Sequence, residues 1–297
     1  RLYSWAGSEW DRRKAPLDAQ KYREREADSW GGRRRIGTEV DGAIAMLEAI
    51  EDTNVPPELL LVELLYGLTS FPNATGLGWD KVHPKAMRRA NEKWLKALLK
   101  LLIRCEAAGK WPKVIELVII CLPPKAEGGF RPIGLLPALP RIWMRTRRNV
   151  TSAWERRNDR SYLYAGEGKE AQVAAWQQSA RAEAAARFKA AYAQGLLDLV
   201  NAFDSVPHWI LVREAKRLGY SLRILKLSLL TYPMPRTLRV GLVFSMTLIA
   251  VCGITAGSGN ATTEMRILMI HVVDAARIEF KHVIPTLYVD DLSAEIT

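Results

Sequence analysis

An aspartate stands in the middle of an apolar run. Residues 195–200 read GLLDLV, short and hydrophobic enough for a buried strand. Asp is depleted from strands because its charge loses hydration on burial. Asp198 is therefore either a carboxylate held at a strand end for its chemistry or the cap of a helix starting there. A second acidic site lies in Tyr288-Val289-Asp290-Asp291. Leu287 and Val289 alternate before it, and Leu292, Ala294 and Ile296 alternate with Ser293 and Glu295 after it. This pattern predicts a β-hairpin with two carboxylates at its tip. Adjacent carboxylates repel unless a cation neutralises them, although Asp is also a favoured turn residue.

Three acids collected from two buried strands suit one chemistry. Hard carboxylate oxygens hold Mg²⁺, with Mn²⁺ as the alternative. Two such ions about 3.5–4 Å apart activate an attacking hydroxyl and stabilise a leaving pyrophosphate. Phosphoryl transfer asks little more of a protein than positioning and charge neutralisation.

The remaining sequence predicts an α+β fold, with helices first and strands mixed with helices later. Residues 1–37 contain GGRRR at 31–35 and show no periodicity, as in a loose arm. Thr38 and Asp41 resemble a capping box, and Val40, Ala43, Ile44 and Leu47 form a helical stripe. A second helix is predicted over Pro57–Leu68. After the loop TGLGWDKVHP (75–84), Met87, Ala90, Trp94, Leu98, Leu101 and Cys105 recur at helical spacing until Gly109. VIELVIICL (114–122) predicts a strand, and 169–194 a long helix with Val173, Trp176, Ala180 and Ala184 on one face. A helix follows Pro207, two strands lie within 236–254, and another helix follows GSGNATTE.

The 43 Lys and Arg against 32 Asp and Glu leave a net charge of +11. Such a surplus favours a polyanion, either nucleic acid or an anionic membrane. The longest apolar stretch, Gly241–Thr255, is short for a span, so no membrane partner is expected. Three scattered cysteines exclude a disulfide framework or zinc module and fit a reducing compartment. Eight Arg and two acids fall within 131–160; Arg141, Arg145 and Arg148 there either follow a nucleic-acid backbone or line a solvated helix face. The four histidines show no ligand spacing, and Trp94 and Trp176 read as core.

Several ordered blocks over residues 75–297 resemble the reverse transcriptase family, most closely its non-LTR retrotransposon members. TGLGWDKVHP resembles the block before the fingers. ICLPPKAEGGFRPIGLLPALPRI (120–142) resembles the fingers hairpin, in which the resemblance implies that Lys125 and Arg131 touch the triphosphate. LLDLVNAFDSVPH (196–208) resembles the first palm motif, implying Asp198 as a metal ligand and Phe203 under the nucleotide sugar. GITAGSGNATTE (253–264) resembles the next loop and helix, with Gly257 at the nucleotide. YVDD resembles the third catalytic motif, implying Asp290 and Asp291 as metal ligands. Two departures fall in the loop: Ala256 stands where Gln is usual, and Gly259 where Pro is common.

The resemblance implies a right-hand polymerase with a helical N-terminal region (1–74), fingers (75–194) and palm (195–297), its thumb and any endonuclease lying past Thr297. Expected partners are an RNA template, a DNA primer and dNTPs, with two Mg²⁺ ions as cofactor. The expected location is intracellular, in the nucleus or else the cytoplasm. The alternatives are a non-catalytic nucleic-acid-binding remnant and an RNA-dependent RNA polymerase, against which the aromatic Phe203 speaks.

Overall fold

The computed structural model describes residues 38–49, 54–126, 129–166 and 168–296. The arm at 1–37 lies outside them, as do the side chains of Thr38, Val40 and Asp41. The chain is mixed α+β and divides into two compact units. The first comprises residues 1–149 and 203–261, the second 150–202 and 262–297. The cut differs from the three consecutive regions read in the sequence, because strand pairing joins segments that lie far apart in the chain.

In the first unit, α1 (Thr38–Ala49), α2 (Leu61–Thr69), the one-turn α3 (Pro84–Met87) and α4 (Glu92–Ala108) precede β1 (Val118–Cys121) and β2 (Ile133–Leu135). Then come α5 (Ala138–Thr146), α8 (His208–Arg217), α9 (Leu222–Leu229), β4 (Arg236–Val240) and β5 (Val243–Phe244). The sheet order is β2-β1-β4-β5. β1 pairs parallel with β4, Val118 opposite Arg236, and antiparallel with β2. The β-branched residues Val118, Ile119 and Ile120 are buried, as expected of a parallel pair covered on both faces.

Asn91 caps α4 by accepting the Trp94 N–H at 2.9 Å, and Gly109 ends it in the left-handed region at φ 56°. The buried face of α4 is Leu95, Leu98, Leu102, Cys105 and Glu106. The expected stripe is thus rotated: Trp94 is 41% exposed and Leu101 39%. The reason is Glu106, which turns inward because Arg147 and Trp143 receive it. The Arg147 Nε and Trp143 Nε1 each donate to its Oε1 at 2.6 Å, and a second Arg147 nitrogen bonds Oε2. Asp80 accepts the Ala138 N–H at 2.6 Å and so caps α5 from a distant loop.

In the second unit, α6 (Arg148–Arg157, entering from the first), α7 (Ala171–Phe188) and β3 (Ala193–Leu197) precede α10 (Ala261–Glu279), β6 (Val283–Tyr288) and β7 (Asp291–Ile296). The three-stranded antiparallel sheet runs β3-β7-β6. The predicted inward face of α7 is corrected. Val173 is 44% and Trp176 71% exposed, while Ala174 and Ala185 are buried. The burial of β3 is corrected as well: all five residues are exposed, β3 being an edge strand that among the described residues pairs only with β7.

His208, on α8, is buried, and its Nε2 lies 2.8 Å from the Gly253 carbonyl. A carbonyl only accepts, so Nε2 carries the hydrogen, and the buried Nδ1 has no partner among the described residues. Burial pushes the imidazole from 6.5 down to about 4. The unfolded chain therefore takes up this proton first. The histidine's contribution to stability is complete above about pH 6.5 and is lost as pH falls toward 4. Urea unfolding at pH 7 and pH 5 should show a loss of about 2 kcal/mol from this group, which His208→Gln removes. An equal loss in both proteins would contradict the assignment.

Candidate active site

The acidic constellation is built by the register of the second unit's sheet. Leu197 pairs with Leu292, and Tyr288 with Asp291. One step further along the β3–β7 ladder brings Asp198 opposite Asp291. Val289 and Asp290 form the two-residue turn between β6 and β7. Val289 sits at φ 60°, a conformation in which a β-branched side chain crowds its own backbone. Strain of this kind is of order 1–3 kcal/mol and persists only where the surroundings enforce it.

Alternation divides the sheet into two faces. Asp291, Ser293 and Glu295 share one face of β7; Thr286 and Tyr288 lie beside them on β6, and Leu196 and Asp198 on β3. Ser293 and Glu295 are buried, and α7 meets them with polar groups. Gln178 Nε2 donates to Ser293 Oγ, and Arg181 donates twice to Glu295 Oε2. The Tyr192 hydroxyl donates to Glu295 Oε1 at 2.7 Å, which holds the Tyr192 phenol above its ordinary pKa. Toward the hairpin tip, α7 and the sheet part into a cleft of about 350 Å³. Asp198, Asp291, Tyr288 and Thr286 line it on one side and Ala171, Ala174 and Ala175 on the other.

Asp198 and Asp291 are exposed at this cleft, and Asp290 is half-buried in the turn. Their oxygen donors suit a hard divalent cation. The expected gathering of all three acids is not found: among the described residues no group of three His, Cys, Asp or Glu stands close enough to hold a metal. Two of the three share one cleft.

Lys125, Arg131, Phe203, Gly257, Arg141 and Arg145 belong to the first unit, as does Arg148 at the start of α6. Lys125 and Arg131 are exposed on the two arms of a hairpin bridged at Pro124 and Phe130. The Lys125 N–H donates to Gly129 O at 3.0 Å and the Arg131 N–H to Pro123 O at 2.8 Å. The half-buried Phe203 is tied by its carbonyl to the Ile254 N–H at 2.7 Å. Arg141 is engaged inside the unit, donating to Gly76 O at 2.6 Å and Thr75 Oγ1 at 2.8 Å. Arg141 and Arg145 both lie over the Phe71 ring. Burial, with Arg148 adding to it, lowers the Arg145 guanidinium from its ordinary value.

Sequence reasoning did not single out Glu295, Arg181, Gln178 or Thr286. The alternation on β7 signals two faces, but polar residues at every second position do not say which face is inward. The three cysteines are free thiols. Among the described residues no helix is long and apolar enough to cross a membrane. The class that the fold and site define is an α+β protein with a carboxylate-bearing β-hairpin beside a cleft. No family model matches the chain, and no curated protein matches it.

Gly257 has a backbone role. It lies at φ +106°, and a Cβ there would stand 2.4 Å from Gly134 O, a carbonyl that cannot swing away because its strand pairs with β1. Gly257→Ala should lower stability by about 2 kcal/mol or more, read as a drop in the urea midpoint. A variant as stable as the parent would show that the loop adapts freely.

Proposed function

We propose that the chain is an RNA-directed DNA polymerase of the retrotransposon type, with a fingers-and-palm arrangement, adding dNTPs to a primer 3′-hydroxyl on an RNA template. The observation that supports this reading is the shared cleft of Asp198 and Asp291, reached from adjacent antiparallel strands and flanked by the strained Val289-Asp290 turn. A hairpin kept in an unfavourable backbone conformation beside two exposed carboxylates has a use beyond turning the chain. Asp198, Asp290 and Asp291 would hold Mg²⁺. The ions, when bound, would supply charge stabilisation to the reacting phosphate and its attacking oxygen. The carboxylates carry the negative charge that binds the ions and fix its position through the β3–β7–β6 register. Lys125 and Arg131 are long, exposed cations suited to triphosphate oxygens. Such an enzyme would work inside the cell, in the nucleus or else in the cytoplasm.

That Asp290 does not line the cleft shared by Asp198 and Asp291 favours a second reading, a nucleic-acid-binding protein that does not turn over. Primer extension on an RNA template with dNTPs and Mg²⁺ separates the two. Under the polymerase reading, Asp290→Asn and Asp198→Asn each lower incorporation by about a hundredfold or more, equivalent to roughly 3 kcal/mol of lost charge stabilisation. Template binding stays intact. A parent protein that binds template but never extends the primer selects the second reading.

Phe203 distinguishes DNA from RNA synthesis. A flat ring against the nucleotide sugar excludes a 2′-hydroxyl, and about 1.4 kcal/mol of exclusion is a tenfold preference. Phe203→Ala should raise rNTP over dNTP incorporation by about tenfold. Equal losses with both nucleotides would make Phe203 a packing residue only.

A further inference from the structure

Of the eight arginines at 131–160, Arg131, Arg145, Arg156 and Arg157 are exposed and the other four are drawn into the fold. Arg141 bonds Gly76 and Thr75, Arg147 is buried on Glu106, and Arg160 pairs with Asp274 at 3.1 Å. A regular row of exposed positive charge in the first unit lies on α4. Lys93, Lys96, Lys100 and Arg104 are all exposed, and their spacing of three, four and four residues keeps them on one face. The row is about 16 Å long at the helical rise. Its single acid, Glu92, pairs with Lys96 at 2.6 Å. Lys93, Lys100 and Arg104 meet no carboxylate among the described residues. A shallow groove runs along the row, lined by Glu92, Lys93, Lys96, Ala97 and Lys100. Like charges three and four residues apart destabilise a helix, so a row of one sign has no use within the fold.

We propose that this face of α4 is a docking surface for the phosphate backbone of nucleic acid, separate from the carboxylate cleft. The inference rests on the reading of the chain as a polymerase and names where it holds its RNA. Charge complementarity selects the occupant: a regular row of cations matches a regular row of phosphates. An anionic membrane fits less well. A membrane-surface helix inserts its apolar face, and the apolar face of α4 (Leu95, Leu98, Leu102 and Cys105) is buried within its own unit. Beside the row, Trp94 is 41% exposed, enough ring to stack on a base.

The test is binding of a fluorescein-labelled RNA hairpin, without nucleotides, between about 50 and 200 mM salt. Replacing Lys93, Lys100 and Arg104 together by Gln, a comparably good helix former, should lower the slope of log K against log salt by about 2–3. Affinity near 100 mM salt should fall at least about tenfold. The charge-keeping variant Lys93→Arg, Lys100→Arg, Arg104→Lys should bind as the parent does. Replacing Arg187, Lys189 and Lys281, three exposed cations of the second unit, by Gln should leave the slope unchanged. If the triple Gln variant melts early, single substitutions each expected to remove about 0.9 of the slope take its place. An unchanged slope, an equal loss in the second-unit control, or a loss confined to phosphatidylserine vesicles would overturn the proposal. Primer extension by the parent is read separately. Binding that responds without extension removes the polymerase reading and keeps the row; extension with an unresponsive slope removes the row.

Discussion

A carboxylate with no exposed surface holds the central strand of the second unit to its neighbouring helix. Burying Glu295 would be strongly unfavourable alone, and leaving such a group unpaired costs several kcal/mol. Arg181 and Tyr192 offset that penalty by filling both of its oxygens. The pair determines which face of β7 points inward, since a slip of one residue would turn Glu295 outward and bring Ala294 or Ile296 toward Arg181. Asp291 lies four residues from Glu295 on the same face. The position of the cleft carboxylates therefore follows from a salt bridge at the other end of the strand.

The first unit uses charge in the same way. Glu106 brings the buried end of α4 to α5 through Arg147 and Trp143, and Asp80 supplies the missing acceptor at the start of α5. Gly67 lets α2 and α5 approach so closely that a Cβ would stand 3.0 Å from the Thr146 nitrogen. These contacts join segments before and after β1 and β2. They give a region rich in Arg an interior that is polar but satisfied.

Much of the fold was legible in the sequence. The helix ending at Gly109, the strand around Ile119, the helix after Pro207 and the hairpin around Asp290 follow from local chemistry: a residue that tolerates positive φ, β-branched runs, a proline start and period-two alternation. What the sequence left open was the sense of each amphipathic element. Trp94 and Trp176 look like core residues by hydrophobicity, but Glu106 and Arg181 take the inward positions because each finds an opposite charge far away in the chain. The acids of the candidate site stood out for the opposite reason, as charges in apolar surroundings. Their partial gathering, with Asp198 and Asp291 together and Asp290 on the turn, is a product of register that composition does not encode.

The interleaving of the two units has a consequence for synthesis. The first unit cannot complete its sheet until β4 and β5 have emerged, more than a hundred residues after β1. The second cannot form its sheet until the last strand is made. A ribosome adding roughly 5–20 residues per second therefore holds Val118–Cys121 without its parallel partner for several seconds. During that interval an apolar edge strand is open to wrong pairing. Expression temperature and the presence of chaperones should thus govern the yield of folded protein more than the stability of the finished fold.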